Sequence, residues 1–297
     1  MRRFTFLILA LLLALPSVAS AYDVLLLLSR RDPYYEEALA GLRQAAGFTA
    51  RLVTLSDYNE ADIPRVIRED RPLAIVAIVA IGDRALALAA RNRQAPVVGL
   101  MCLSLPRLAV RAPNLTGVDF LIRPEQFAGL LAQLKTRKVG MLYDPARSGA
   151  YLQRARQAAG RVGVELVARE VDSAKEVLGQ LEQLKGQVGA LWMIPDATAV
   201  NSRTSEAYFL FSLGRNVPVV SFDRSHLGLG AAVVLEPDRR EMGVQAAEMA
   251  AALVGGTPLS DLPLAPPRKQ ILKINRTVLK RLDIPSEGFE RLSGYHD

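Results

Sequence analysis

The chain has 297 residues, half of them hydrophobic, which is enough for two cores of ordinary size. Its 37 Lys and Arg against 30 Asp and Glu give a formal charge of +7, but the bases are scattered among acids and no basic cluster is interleaved with aromatics, which argues against a nucleic-acid surface. The single cysteine, Cys102, excludes an intrachain disulfide, and with only two histidines, His226 and His296, no metal site is expected.

A leader comes first. Met1-Arg2-Arg3 is basic, Phe4 to Leu15 is an uncharged apolar run, Pro16 breaks it, and Ala19-Ser20-Ala21 is a small-x-small cleavage signal. The apolar run is shorter than the roughly 20 residues that cross a bilayer. Export and cleavage after Ala21 are therefore expected, with a mature chain from Tyr22 and a periplasmic or secreted location. No cysteine follows the cut, so a lipid anchor is not indicated. Without Arg2 and Arg3, 35 basic residues face 30 acidic ones, a net +5.

Val24 to Leu28 is a continuous apolar run, as in a strand buried on both faces. Asp32-Pro33 then starts a helix that ends near Gly47. Arg51 to Leu55 reads as a strand, Ile63 to Glu69 as a helix, and Leu73 to Ile81 as a strongly apolar strand. Gly82-Asp83 opens a helix over Arg84 to Arg91, and Pro96 to Met101 is the next strand. Leu115 to Phe120 is extended and leads to a helix at Pro124. A second series begins at Lys138. Its strands are Val139–Tyr143, Val164–Ala168, Val188–Ile194, Val217–Phe222 and Ala231–Leu235. Its helices are Ala146–Val162, Ser173–Leu184, Thr198–Leu213 and Arg239–Val254, the last stopped by Gly255-Gly256. Pro258 to Pro267 reads as an extended connection and Lys269 to Ile274 as one more strand. The tail after Pro285 has no clear period and is expected to be loosely held. Strands alternating with helices at this spacing imply parallel sheets covered on both faces, and two such series imply two similar α/β lobes.

The order of motifs is more specific than any one of them. It comprises Asn114-Leu115-Thr116-Gly117-Val118, Val139 to Pro145, Gly163 to Leu166, Ala190 to Asp196, Val217 to Val220, Gly228 to Ala232, and Gly243 to Met249 with Gly255-Gly256. In this order the chain resembles the exported substrate-binding proteins of ABC transporters, in the family whose better-known members bind aromatic amino acids. The resemblance runs from about Tyr22 to Pro285. It implies the type I periplasmic binding protein fold: two Rossmann-like lobes with parallel sheets, joined by three crossovers near Phe120, Leu235 and Ala265. The first lobe would hold residues 22–120 and 236–264, the second 121–235 and 265–297. It also implies a small-molecule ligand, an ABC permease in the inner membrane as partner, and a monomer. A ligand sensor for a membrane partner, or an accessory module of an outer-membrane uptake system, is the alternative role on the same fold. Two loops depart from the family pattern. Gly82-Asp83 stands where Gly-Thr is frequent, and Met101-Cys102-Leu103-Ser104 where a Thr-Asp-Pro type loop is frequent.

Ligands of open α/β sheets sit at the carboxyl ends of strands. That rule nominates Ser29, Arg30 and Tyr34 after the first strand, Gly82 and Asp83 after the third, and Ser104 after the fourth. In the second series it nominates Tyr143, Asp196 with Thr198, and Asp223. At most of these positions the competing reading is a helix cap. Asp196 is the leading candidate, its carboxylate suited to an ammonium, hydroxyl or ring N–H. Its replacement by Ala is expected to abolish binding and leave the empty protein's stability nearly unchanged. Two acids facing the cleft favour a neutral or zwitterionic ligand, an aromatic amino acid or an analogue, over a bare anion. Cys102 and Trp192 read as core residues. No G-x-S-x-G, H-E-x-x-H or Walker loop is present, so neither an enzyme nor a cofactor is expected.

Overall fold

A computed structural model describes residues 22–58, 75–91 and 95–293. The leader, the helix expected over Ile63 to Glu69, the start of the strand expected from Leu73, and His296 lie outside the described residues.

The first sheet is parallel, with β1 (Val24–Leu28), β2 (Ala50–Thr54), β3 (Ala77–Ile81), β4 (Val97–Leu100) and β5 (Leu115–Gly117) in the order β2-β1-β3-β4-β5. Its apolar runs are continuous because successive side chains enter two different cores. Val24, Leu26 and Leu28 face one core, and Leu25 and Leu27 the other. Helices α1 (Pro33–Ala45), α2 (Asp83–Ala89) and α3 (Leu105–Ala109) connect its strands. Asp32 caps α1 by accepting from the Tyr34 N–H.

After β5 the chain enters the second lobe through α4 (Pro124–Gln133). This lobe contains β6 (Lys138–Tyr143), α5 (Pro145–Arg161), β7 (Glu165–Glu170), α6 (Val177–Gln183) and β8 (Ala190–Trp192). It continues through α7 (Ser205–Arg215), β9 (Val219–Ser221), α8 (His226–Leu229) and β10 (Val233–Pro237). The chain then crosses back. Helix α9 (Arg239–Val254) covers the first sheet, with Met242, Ala246, Ala250 and Leu253 in the core of Val24 and Leu26. Two glycines allow this packing. A Cβ on Gly41 would lie 1.9 Å from the Arg240 carbonyl oxygen, and one on Gly243 would lie 1.9 Å from that of Ala38. The chain finally returns to β11 (Gln270–Ile274), antiparallel to β10, giving the second sheet the order β11-β10-β9-β8-β6-β7.

The passages between sheets are bonded to one another. Asp119 N–H donates to the Ala265 carbonyl at 2.8 Å and Ala265 N–H to that of Gly117 at 3.0 Å, while Asp238 N–H reaches Lys269 O at 3.0 Å. Trp192 is a core residue, 1% exposed, with the Phe127 ring 4.9 Å away and the Tyr151 ring edge-on at 6.1 Å.

Two expectations are corrected. The helix expected from Thr198 starts at Ser205. Residues 198–204 form turns instead, because side-chain oxygens take the backbone donors: Asp196 takes Thr198 and Ala199, Asn201 takes Arg203, and Thr204 takes Asn201. The tail after Pro285 is held rather than loose. Helix α11 (Glu287–Ser293) forms there, following α10 (Arg276–Arg281), Phe289 is fully buried in the second-lobe core, and Arg276 pairs with Glu290 at 2.9 Å.

Candidate functional site

The carboxyl ends of the two sheets face each other. Between them lies a cavity of about 360 Å³, lined from the first lobe by Asp83, Leu103, Ser104 and Arg107 and from the second by Leu121, Arg147, Ser148 and Asp196. Three of the ten nominated residues, Asp83, Ser104 and Asp196, thus meet at one place.

Gly82 has φ +87°, and a Cβ there would fall 2.7 Å from both Ser29 Oγ and Tyr35 Oη, so only Gly lets the loop pass this close. Ser29 is buried and spends its hydroxyl on the Ala85 N–H at 2.9 Å, at the start of α2. Asp83 Oδ1 accepts the Ser104 N–H at 2.8 Å and its hydroxyl at 2.5 Å, and Oδ2 accepts the Leu103 N–H at 3.3 Å. Asp83 therefore fastens the loop after β4. Cys102, fully buried behind it, donates to the Leu100 carbonyl at 3.1 Å, and burial pushes its thiol far above the usual range.

Asp196 is only 1% exposed. Its Oδ1 accepts from the Thr198 and Ala199 N–H groups at 2.9 and 3.1 Å, and its Oδ2 from the Asp144 N–H at 2.8 Å and the Ser148 hydroxyl at 2.7 Å. The carboxylate is a strut that ties the β6–α5 loop to the β8–α7 loop, which sets this geometry against the expectation that the empty protein would not miss it. Thr198 completes the strut by donating to Asp144 Oδ2 at 2.7 Å. Tyr143 turns to its strand neighbour, its hydroxyl donating to Glu170 at 2.7 Å, and does not line the cavity.

Arg30 lies in solvent, paired with Asp32 at 2.9 Å. Tyr34 and Asp223 meet each other across the lobes, the phenol donating to Oδ1 at 2.8 Å. Beside them Arg224 makes two bonds to Glu37, at 3.0 and 2.7 Å. Beneath the Tyr34 ring lies the Arg239 guanidinium, 3.9 Å from its centroid, bonded at 2.7 Å to Glu236. Burial works to raise the Asp223 carboxyl, but donors on Ser225 and Tyr34 and the charge of Arg239 outweigh it and hold it below the usual range. Asp223 also lines a more open hollow of about 690 Å³ with Asn201, Ser205 and His226.

His226 is buried between Phe209 and Phe222, its Nδ1 2.6 Å from Ser221 Oγ. Burial lowers its basicity, only partly offset by the charge of Asp223. Because the folded pKa lies below the unfolded one, stability is complete above the ordinary value of 6.5 and falls as pH drops through and below it. Melting temperatures at pH 7.5 and 5.5 should therefore drop more for the wild type than for His226→Gln. Equal drops would refute a role for this imidazole.

The reading of strand ends missed Arg107, Arg147 and Ser148. Arg107 sits on a five-residue helix too short to show a period. Arg147 and Ser148 lie inside α5, where nothing local marks them. Among the described residues no group of three or more His, Cys, Asp or Glu is placed to hold a metal ion.

A family model described as ABC transporter substrate binding protein matches residues 55–293. A tyrosine-binding protein of Clostridioides difficile (strain R20291) is 22% identical over 175 residues, covering 58% of this chain and 50% of that protein, so the match spans half the relative's length. Among solved structures, a conserved domain protein of Vibrio cholerae has a TM-score of 0.68 at 20% identity, over 90% of this chain and 97% of its own. The Streptococcus pneumonia ABC domain in complex with L-Trp has a TM-score of 0.66 at 16% identity, over 90% and 98%. The shared fold is that of the type I periplasmic binding proteins. The family model and the Clostridioides difficile relative are both described as binding proteins.

Proposed function

Because the chain belongs to the ABC transporter substrate-binding protein family, we propose that it is exported, captures a small polar or zwitterionic solute between its lobes and delivers it to a membrane permease. The observation that carries this reading is the cavity itself. Its volume of about 360 Å³ falls within the roughly 300–1,000 Å³ of small-molecule sites, and both lobes line it. A ligand touching both lobes favours their closure, which is hinge motion driven by differential affinity. The hinge would lie in the bonded passages near Gly117, Pro237 and Ala265. The relatives that bind tyrosine or hold L-Trp put an aromatic amino acid or an analogue first among candidates.

The test is a thermal-shift screen on the chain from Tyr22, unfolded and refolded to free it of carried ligand. The panel holds amino acids, amines, organic acids, sugars and nucleosides. A true solute at 100 times its dissociation constant stabilises by about 2.7 kcal/mol. A panel without any shift refutes the reading.

A further inference from the structure

The cavity is lined by two aspartates and two arginines, and its free hydrogen-bonding capacity lies on the arginines. Its two acids are already engaged: Asp196 accepts four internal donors, and Asp83 accepts three. Its two arginines keep donors free. Arg107, from the first lobe, is solvent-exposed at the cavity wall and makes no ion pair or hydrogen bond among the described residues, so water is its partner until a ligand arrives. Arg147, from the second, meets Asp144 through Nε at 3.2 Å and is half-exposed, and its two terminal nitrogens make no hydrogen bond among the described residues. The remaining wall is largely apolar, with Ala87, Leu103, Leu108 and Leu121 among it.

We propose that Arg107 and Arg147 clamp one anionic group of the ligand, a carboxylate or phosphoryl, while the apolar wall takes its organic body. This rests on the solute-binding reading above and narrows it: the ligand is an amphiphilic acid or the acid end of a zwitterion, not a neutral sugar or an amine. Guanidinium forks suit both oxyanions and hold them with two parallel bonds each. The two arginines belong to different lobes, so one anion between them makes binding and closure a single event. Closure also removes water, and the ion pairs strengthen as the apolar wall excludes it. The clamp falls on arginines other than Arg30, the one nominated from the sequence. Arg30 is spent on Asp32 and does not line this cavity.

The experiment is titration calorimetry on ligand-free protein with sets that share a skeleton. One set is L-tyrosine, tyramine and 3-(4-hydroxyphenyl)propionate. A second is phenylacetate against phenyl phosphate, which separates carboxylate from phosphoryl. Both are run beside the broad panel described above, and a panel hit enters with its own uncharged and amine counterparts. The expected result is that the tightest binder carries an acid group and that its counterpart without the acid binds at least about 100-fold more weakly. Arg107→Gln and Arg147→Gln should each weaken it about 10-fold or more, with the melting temperature of the empty protein unchanged, and raising salt should weaken it further. A sugar, nucleoside or amine that binds tightest, with both variants unaffected, overturns the clamp and leaves the solute-binding reading standing. Silence across the whole panel overturns both.

Discussion

Arg239→Met is expected to lower folding stability by about 4 kcal/mol, read from denaturant midpoints at constant slope. Arg239 and Glu236 are both fully buried and bonded at 2.7 Å. Neither charge has water to fall back on. Removing the arginine leaves Glu236 with Arg224 alone, at 2.8 Å, and takes the nearest cation from Asp223, 3.7 Å away. It also removes the cation beneath the Tyr34 ring. One positive charge would then face three negative ones, on Glu37, Glu236 and Asp223. Breaking one side of a buried pair costs far more than replacing both sides by apolar groups. The double variant Glu236→Leu with Arg239→Met should therefore be more stable than Arg239→Met alone. A loss below about 1 kcal/mol in the single variant would mean that water reaches Glu236 and that the pair is not dry.

Asp196→Ala is the second large effect, at about 3 kcal/mol, or roughly 6–12 °C in the melting temperature of the empty protein. The substitution strands three backbone N–H groups and the Ser148 hydroxyl around a site that is 1% exposed. Unmet buried donors cost more than the same bonds contribute when made. Asp196→Asn keeps the shape and one acceptor oxygen and should lose less. Differential scanning fluorimetry without ligand decides the matter. An unchanged melting temperature for Asp196→Ala would return the residue to the role suggested by sequence, a carboxylate held in reserve for a ligand.

The difference between those two views of Asp196 shows what a linear reading can reach. An acid ahead of Thr198 is visible as a cap, and the local half of its bonding follows from that. The other half comes from Asp144 and Ser148, which lie 52 and 48 residues upstream and are delivered only by the packing of β6 against β8. Strands such as Val24–Leu28 were legible because burial on both faces removes polar residues from the run. Helix α9 was legible because Gly255-Gly256 ends its period, and the structure adds the cap by Asp238 at its start. The stretch 198–204 misled because Ala199 and Val200 mimic a helix face. Both are instead core residues of a turn held by Asn201 and Thr204. Helices α3 and α8, of five and four residues, are shorter than two turns and leave no periodic trace. The two cavity arginines had no motif. Scattered basic residues look alike until a fold brings two of them to the same hollow.

Strand β11 completes the second sheet from the far end of the chain, and Phe289 fills its core later still. A polypeptide synthesised from its N-terminus therefore exposes the free edge of β10 until Gln270–Ile274 have emerged. The second lobe cannot finish before β11 and Phe289 are available. A chain that is halted, or held by its tail in a ribosome or a membrane channel, keeps an unpaired strand and an unfilled aromatic socket. Carboxy-terminal tags on short linkers that trap residues 270–289 should be read as folding inhibitors, whereas amino-terminal fusions leave the closing strand free to dock.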